Sequence, residues 1–199
     1  MNHVDASRDA LVRAASELFT TRSFAEISIA DIAAEAGVPS EVALRAFPST
    51  HDIGTVVLDH ERASMHAVQD RLASHDGSAL DRLVLAFRLV GENLAGDVLV
   101  RAGVCLASGA RHAFPGRRLD PFQTWLTFVD GLLTTARADG ELRDDVDLTS
   151  AGWLVVASGI GTMDYCRTQG RWHDATRLLE QTALGMVALL RASAAEGRR

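Results

Sequence analysis

Residues 27–53 read Ile-Ser-Ile-Ala-Asp-Ile-Ala-Ala-Glu-Ala-Gly-Val-Pro-Ser-Glu-Val-Ala-Leu-Arg-Ala-Phe-Pro-Ser-Thr-His-Asp-Ile, and their spacing decides the fold of the N-terminal part of the chain. Ser28 is placed to cap a short helix. Gly37 suits the left-handed backbone of a sharp turn, and Pro39 suits the start of the next helix. The pattern predicts a helix-turn-helix whose second helix covers about residues 40–46.

Apolar residues around this stretch predict a further helix and a small shared core. The residues from about 6 to 22 carry apolar side chains at helical spacing, which indicates an amphipathic helix. On the helix after the turn, Leu44 and Phe47 are expected to point inward, and Pro48 to end that helix. The predicted core consists of Leu18, Phe19, Phe24, Ile32, Val38 and Phe47.

The remainder of the chain keeps the helical spacing of apolar residues, and no stretch alternates in the manner of a β-strand. A long helix is expected over about residues 50–73, and the last two helices over about 148–168 and 173–194. The sequence therefore predicts an all-α fold of about nine helices. We expect residues 1–50 to form a helix-turn-helix domain and residues 51–199 to form a larger helical domain.

The chain is acidic, which bears on any nucleic-acid partner. All 20 basic residues are arginine, 26 residues are acidic, and the net charge is −6. Residues 1–52 hold four arginines and eight carboxylates, a net charge of −4. Because neutralising phosphates supplies most of a protein's affinity for DNA, this charge argues against strong DNA binding.

No stretch indicates export, a membrane or a metal. Charged residues interrupt the first turns of the chain, so no signal peptide is expected, and the longest apolar runs are shorter than the roughly 20 residues that span a bilayer. Cys105 and Cys166 lack the spacing of metal ligands, and both are interpreted as buried free thiols of a cytoplasmic protein. We expect no metal and no cofactor.

Two sets of short motifs resemble a known family. The N-terminal set is Ala14-Ala15-x-x-Leu18-Phe19, Ser28-Ile29-x-x-Ile32-Ala33-x-x-Ala36-Gly37-Val38 and Phe47-Pro48-Ser49, and it resembles the DNA-binding domain of the TetR family of bacterial repressors. The second set is Val100-Arg101-Ala102-Gly103, Asp120-Pro121-Phe122-x-x-Trp125, Leu132-Leu133-x-x-Ala136 and Asp139-Gly140-Glu141-Leu142. That set resembles the γ-butyrolactone autoregulator receptors within the family.

The resemblance implies a homodimer that pairs through its last two helices, binds operator DNA and is released by a small effector. The candidate DNA-binding residues, chosen for side chains that can bind phosphates or base edges, are Ser28, Ser40, Glu41, Arg45, Ser49 and Thr50. Three positions depart from the family pattern: Leu44 replaces a tyrosine, Ala46 a histidine and Thr50 a phosphate-binding lysine. Arg45 is therefore the main candidate for a contact with guanine or phosphate.

A ligand pocket in the C-terminal part is the other implied site. Its apolar candidates are Val84, Phe87, Leu106, Trp125, Phe128, Val155 and Ile160, and its polar candidates are Glu61, Ser158 and Thr162. An apolar wall with one or two hydrogen bonds suits a small lactone or furan with an alkyl tail. The alternative interpretation is that these aromatic and aliphatic residues only fill the core.

Two other functions stay open at the level of the sequence. A pseudo-receptor would keep the fold and the dimer while binding DNA weakly or not at all, which the acidic N-terminal segment favours. An all-α enzyme is the more distant alternative. The seven histidines form no His-Glu-x-x-His pattern, and the chain has neither a Cys-x-x-Cys pair nor a glycine-rich phosphate loop. We therefore expect a regulator, with no catalytic residues.

Overall fold

A computed structural model describes residues 3–117 and 119–192, with side chains from residue 6 onward in those ranges. This part of the chain is all-α, as predicted, and it has nine α-helices and no strand. The helices are α1 His3–Thr21, α2 Ile29–Glu35, α3 Ser40–Ala46, α4 Thr50–Ala73, α5 Ala79–Gly96, α6 Val98–Gly109, α7 Pro121–Ala138, α8 Leu148–Thr168 and α9 Ala175–Leu190. Short 3₁₀ turns cover Phe24–Glu26, Arg111–Ala113 and Trp172–Asp174.

The chain divides into two compact units. Unit 1 contains the chain up to Met65 together with Asp97–Pro121, and unit 2 contains His66–Gly96 together with the chain from Phe122 onward. The core of unit 1 explains why two separate stretches of the chain belong to it. The first turns of α4 and the whole of α6 supply buried residues that pack with α1, including Ile53 and Leu106.

The helix-turn-helix of unit 1 is held by the local signals that predicted it. Ser28 and Asp31 form a reciprocal capping box, with the Asp31 amide donating to Ser28 Oγ at 3.2 Å and the Ser28 amide donating to Asp31 Oδ2 at 2.8 Å. These bonds with Ser28 hold the pKa of Asp31 below its usual value. Gly37 has φ +64°, the left-handed backbone expected of the turn. The second helix, α3, has the predicted bounds.

The inward face of α3 differs from the prediction at one residue. Ala43 and Phe47, four residues apart, are buried at 1% exposure, whereas Leu44 is 53% exposed. The prediction that Leu44 points inward was wrong, because a residue next to Ala43 lies about 100° further around the helix. Arg8 of α1 holds the end of α3: its guanidinium stacks over the Phe47 ring at 4.0 Å and its Nη1 donates to the Ala46 carbonyl at 3.0 Å.

In unit 2, α5 and α9 pack closely along their lengths. Gly91 of α5 faces the backbone of α9, and a Cβ atom at this position would lie 2.5 Å from Thr176 Cα and 2.8 Å from the Ala175 carbonyl oxygen. The absence of a side chain at Gly91 therefore sets how closely the two helices approach.

The last helix is shorter than predicted. Residues 172–174 form a 3₁₀ turn, and α9 covers only Ala175–Leu190. It ends there because the following backbone turns to pair with the segment after α7: the Arg143 amide donates to the Leu190 carbonyl at 3.0 Å, and the Ala192 amide donates to the Glu141 carbonyl at 2.8 Å. The predicted end at residue 194 lies outside the described residues.

Glu141 also fixes the start of α5. Its carboxylate accepts from the amides of Ala79 at 2.9 Å and Leu80 at 3.2 Å, two of the N–H groups that the first turn of a helix leaves without a partner. The motif Asp139-Gly140-Glu141-Leu142 thus ties the end of α7 to the start of α5, 62 residues earlier in the sequence.

Replacing Glu141 with alanine is expected to destabilise the protein by about 1–2 kcal/mol, the loss typical of a helix that loses its capping oxygen. The loss of stability in Glu141→Gln should lie between zero and that of Glu141→Ala, since the glutamine side chain keeps one oxygen that can accept a hydrogen bond. Urea unfolding followed by circular dichroism measures the change. Glu180→Ala on α9 is the matched control, because the Glu180 side chain forms no hydrogen bond or ion pair with the described residues. Equal effects of Glu141→Ala and Glu180→Ala would show that the cap contributes nothing.

The two cysteines are both free, but only one is buried as predicted. Cys166 is fully buried, and this burial raises the pKa of its thiol. Cys105 is half-buried, because it lies off the buried face of α6, which includes Val100, Gly103 and Leu106. Among the described helices, none has the length and apolarity needed to cross a membrane.

Candidate DNA-reading helix and effector cavity

One face of α3 is exposed and carries four side chains of different chemistry. Ser40, Glu41, Leu44 and Arg45 recur at helical spacing, and all four are exposed. Arg45 Nε donates to the Glu41 carbonyl at 3.2 Å, which leaves the donors on its two terminal nitrogens to meet a partner outside the helix. The face offers one hydroxyl, one carboxylate, one apolar group and one guanidinium.

The hydroxyls predicted to bind phosphates are already hydrogen-bonded within unit 1. Ser28 Oγ donates to Asp31 Oδ2 at 2.6 Å, Ser49 Oγ donates to Asp52 Oδ2 at 2.6 Å, and Thr50 Oγ1 donates to the Ile27 carbonyl at 3.3 Å. Each serine therefore lies beside a carboxylate that would repel a phosphate. Of the six predicted DNA-binding residues, the structure places Ser40, Glu41 and Arg45 together on α3, while Ser28, Ser49 and Thr50 lie at the starts of α2 and α4.

Unit 2 contains a cavity with an almost entirely apolar lining. Its empty space amounts to about 370 Å³, open solvent at its mouth included. The lining residues are Phe87, Val90, Trp125, Val129, Val156, Gly159, Ile160, Met163 and Leu179. Gly159 leaves room for an aromatic wall, because a Cβ atom there would lie 2.9 Å from Phe87 Cε1. The Trp125 ring packs edge-on against Phe128, with centroids 5.7 Å apart.

Three of the predicted pocket residues line this cavity, namely Phe87, Trp125 and Ile160. Six further lining residues were not among the predicted ones: Val90, Val129, Val156, Gly159, Met163 and Leu179. No signal in the sequence separates these residues from core filling, since a cavity wall and a packed core have the same helical spacing of apolar residues.

The predicted polar candidates lie outside the lining. Thr162 Oγ1 pairs with Thr182 Oγ1 at 2.9 Å and donates to the Ser158 carbonyl at 2.8 Å, and Ser158 Oγ contacts Met186 Sδ at 3.8 Å. Both hydroxyls therefore join α8 to α9. Val84 and Phe128 are half-buried in unit 2, and Val155 is fully buried there; none of the three is a lining residue.

Glu61 and Leu106 belong to unit 1, whereas the cavity lies in unit 2. Glu61 packs on α6 at Gly103, so closely that a side chain at Gly103 would collide with the Glu61 Cβ. Burial raises the pKa of the Glu61 carboxyl, and the positive charge of Arg62 opposes this rise. Gly103 and Glu61 thus form the close contact between α4 and α6 within unit 1.

A histidine and a carboxylate also meet in unit 1, at the start of α6. His60 Nε2 and Asp97 Oδ2 are 2.6 Å apart, and Asp97 Oδ1 accepts from the Leu99 amide at 2.8 Å. Burial opposes ionisation of Asp97, but the hydrogen bonds from His60 and the helix backbone lower its pKa below the usual value. The pair caps a helix, and no cluster of three metal-binding side chains occurs within the described residues.

Comparison with known proteins assigns the helix-turn-helix to a family. Residues 11–53 match the family model described as bacterial regulatory proteins, tetR family. The structure is similar to that of the TetR family protein CprB from S. coelicolor A3(2), with a TM-score of 0.78 and 20% identity over 100% of this chain and 93% of that one. No curated protein matches the sequence.

Two further solved structures have the same fold. A gamma-butyrolactone receptor described as ArpA-like has a TM-score of 0.73 and 19% identity, over 92% of this chain and 100% of its own. SmeT, solved as a complex with triclosan, has a TM-score of 0.68 and 17% identity, over 95% and 93% of the two chains. At these identities the similarity concerns the fold alone.

The helix-turn-helix of this chain therefore matches the tetR family, and the chain as a whole has the TetR fold. The match to a family of bacterial regulatory proteins covers the helix-turn-helix, and the likeness of the remaining residues is one of fold. The resemblance found in the sequence is confirmed, and γ-butyrolactone receptors are among the structural neighbours.

Proposed function

We propose that this chain is a ligand-responsive repressor that reads operator DNA through α3 and is released by a small apolar effector. The observation that carries the proposal is the exposed face of α3 in a tetR-family helix-turn-helix, with Arg45 directed away from the core. A helix of this kind enters the major groove, where an arginine can bind guanine through two hydrogen bonds. A DNA-binding regulator acts in the cytoplasm, and we propose that location.

A homodimer is the proposed form of the repressor, since a second copy would cover the apolar residues that α8 and α9 expose. These residues are Trp153, Leu154, Tyr165, Leu184 and Leu189, each 45–63% exposed. All five lie on two helices that pack against each other, and such a concentration of exposed large apolar side chains favours a protein interface over a solvated face. A two-fold dimer would present two α3 helices to the two halves of a palindromic operator.

The chemistry of the cavity lining in unit 2 favours an uncharged effector. Among the nine lining side chains, only Trp125 carries a hydrogen-bond donor, and no described residue accepts from its indole N–H. Such a wall favours a ligand of mainly hydrocarbon surface with a single acceptor, as in a lactone or furan with an alkyl tail. A charged ligand would lose its hydration without gaining a partner.

A pseudo-receptor with weak or no DNA binding is the second candidate, and a specific observation favours it. The hydroxyls of Ser28 and Ser49 donate to the carboxylates of Asp31 and Asp52. The surface that flanks α3 therefore has few free hydrogen-bond donors for phosphates. Binding to DNA would then depend on α3 itself, with few phosphate contacts to support it.

The two candidates are separated by titrating the protein into DNA at low and moderate salt. The probes are the DNA upstream of its own gene and duplexes selected from a randomised pool. A discrete complex that survives moderate salt and unrelated competitor DNA supports the repressor. If neither probe gives such a complex, the repressor is refuted and the pseudo-receptor is favoured.

The cavity is tested by filling it. Ile160→Trp adds bulk to the cavity wall, so we expect the variant to keep its DNA affinity but to lose effector binding by about 100-fold or more. A panel of alkyl lactones and furans, assayed by thermal shift and by release of bound DNA, measures the change. Ile160→Val is the matched control, because it only enlarges the space. Unchanged effector binding by Ile160→Trp would place the effector site elsewhere.

A further inference from the structure

Leu44 is a large apolar side chain in an unusual place. Six large hydrophobic residues are exposed in the described part of the chain, and five of them lie on α8 and α9 of unit 2. Leu44 is the sixth, and the other described large hydrophobic residues of unit 1 are buried or half-buried. It contributes nothing to the core, since Ala43 and Phe47 supply the buried side of α3. Single exposed leucines are common on protein surfaces, so what matters is the face that this one occupies.

That face is the one directed at DNA in the proposed repressor. Leu44 is flanked on the exposed side of α3 by Ser40, Glu41 and Arg45, all of which are polar. The helix has only seven residues, so few side chains can reach a base pair. Because Leu44 lies at the centre of this short face, it is placed to contact a base pair.

The chemistry of the major groove restricts what a leucine can read there. Each base pair presents donors and acceptors at this edge, and thymine alone adds an apolar group, its C5 methyl. The Leu44 side chain has no donor or acceptor. It can therefore distinguish base pairs only by apolar contact, which favours a thymine and disfavours the polar edges of the other bases.

We propose that Leu44 is a specificity-determining residue that contacts the C5 methyl group of a thymine in each half of the operator. The inference rests on the proposed binding of DNA by α3. It adds a base preference that Arg45 cannot supply, since a guanidinium donates to guanine and makes no use of a methyl group. An α3 poor in phosphate contacts would then gain part of its affinity from burial of apolar surface.

The test removes one methyl group at a time from the DNA. The probe is a duplex recovered by selection from a randomised pool, in which each thymine in turn is replaced by deoxyuridine. We expect one position in each half-site to weaken binding about fourfold, the factor that corresponds to about 0.8 kcal/mol for one buried methyl-sized group. Fluorescence anisotropy measures the affinity, and replacing both positions should weaken it about sixteenfold if the two half-sites act additively.

The variant Leu44→Ala links this effect to the residue. Its DNA affinity should fall, and the difference between thymine and deoxyuridine at the same position should disappear. Because Leu44 is exposed, the variant should keep its thermal stability, which circular dichroism checks. Leu44→Met is the conservative control: it retains an apolar side chain of similar volume and should retain the preference for thymine.

Three results would overturn the proposal. If deoxyuridine leaves the affinity unchanged at every position, the protein contacts no thymine methyl group. An effect that persists in Leu44→Ala means that another residue reads it. A change in the sedimentation of Leu44→Ala without a change in base preference marks Leu44 as a protein contact. Failure to recover any duplex is a separate result, because it refutes DNA binding itself and the thymine contact with it.

Discussion

Replacing Gly91 with alanine should destabilise the protein by about 3 kcal/mol or more, at the upper end of the range for overpacked cores. The new Cβ would lie 2.5 Å from Thr176 Cα and 2.9 Å from the Thr176 backbone nitrogen. A flexible side chain could move aside, but these are backbone atoms of α9, so α5 and α9 would have to separate. Thermal unfolding should show a melting temperature lower by roughly 6–12 °C.

A second glycine provides the matched control for this prediction. Gly131 lies within α7 and is exposed, and a Cβ atom there would meet nothing within 4 Å. Gly131→Ala should therefore stabilise the protein by about 0.5–1 kcal/mol, the usual gain from removing a glycine from a helix. If Gly91→Ala and Gly131→Ala had equal effects, the close approach of α5 and α9 at Gly91 would be refuted.

Arg45→Ala should cause the largest loss of DNA affinity among single substitutions on α3. A base contact of this kind contributes about 1–3 kcal/mol. A dimer contains it twice, so the expected loss is about 2–6 kcal/mol, or roughly 30-fold to 10⁴-fold. Titration of the selected duplex measures this loss. An affinity equal to that of the unmodified protein would mean that Arg45 contacts neither base nor phosphate.

Arg45→Lys separates the two kinds of contact that the guanidinium could make. Lysine keeps the positive charge but lacks the planar fork that binds guanine through two hydrogen bonds. If Arg45 reads guanine, Arg45→Lys should lose most of the affinity that Arg45→Ala loses, and the preference for guanine should relax. If Arg45 binds phosphate instead, Arg45→Lys should keep most of its affinity for DNA. Arg45→Ala should then reduce the steepness of log affinity against log salt concentration by about 1 for each lost contact.

The helix-turn-helix could be predicted residue by residue because its signals are local. Ser28, Gly37 and Pro39 each act within one turn of the chain, and α3 has the bounds that they predict. The orientation of Leu44 could not be obtained in the same way. Ala43 and Leu44 are adjacent apolar residues, and only the packed partner of the helix decides which of them is buried.

The candidate cavity was less predictable, for a physical reason. An apolar residue at helical spacing fits a core as well as a cavity wall, and the empty space at Trp125 and Gly159 depends on how residues from four helices meet. The polar candidates show the same limit. Thr162 bonds to Thr182 of α9, a contact between residues 20 apart that no spacing in the sequence reveals.

The apolar side chains that α8 and α9 expose affect any measurement of this protein's stability or DNA affinity. If these surfaces pair two copies, dimer formation obeys mass action, and the melting temperature will rise with protein concentration. Trp153 and Leu189 would then be hydrated in each free subunit and covered in each pair. DNA titrations run at protein concentrations near the dimer dissociation constant would report assembly as well as recognition. Sedimentation across the working concentrations should therefore precede any comparison of affinities.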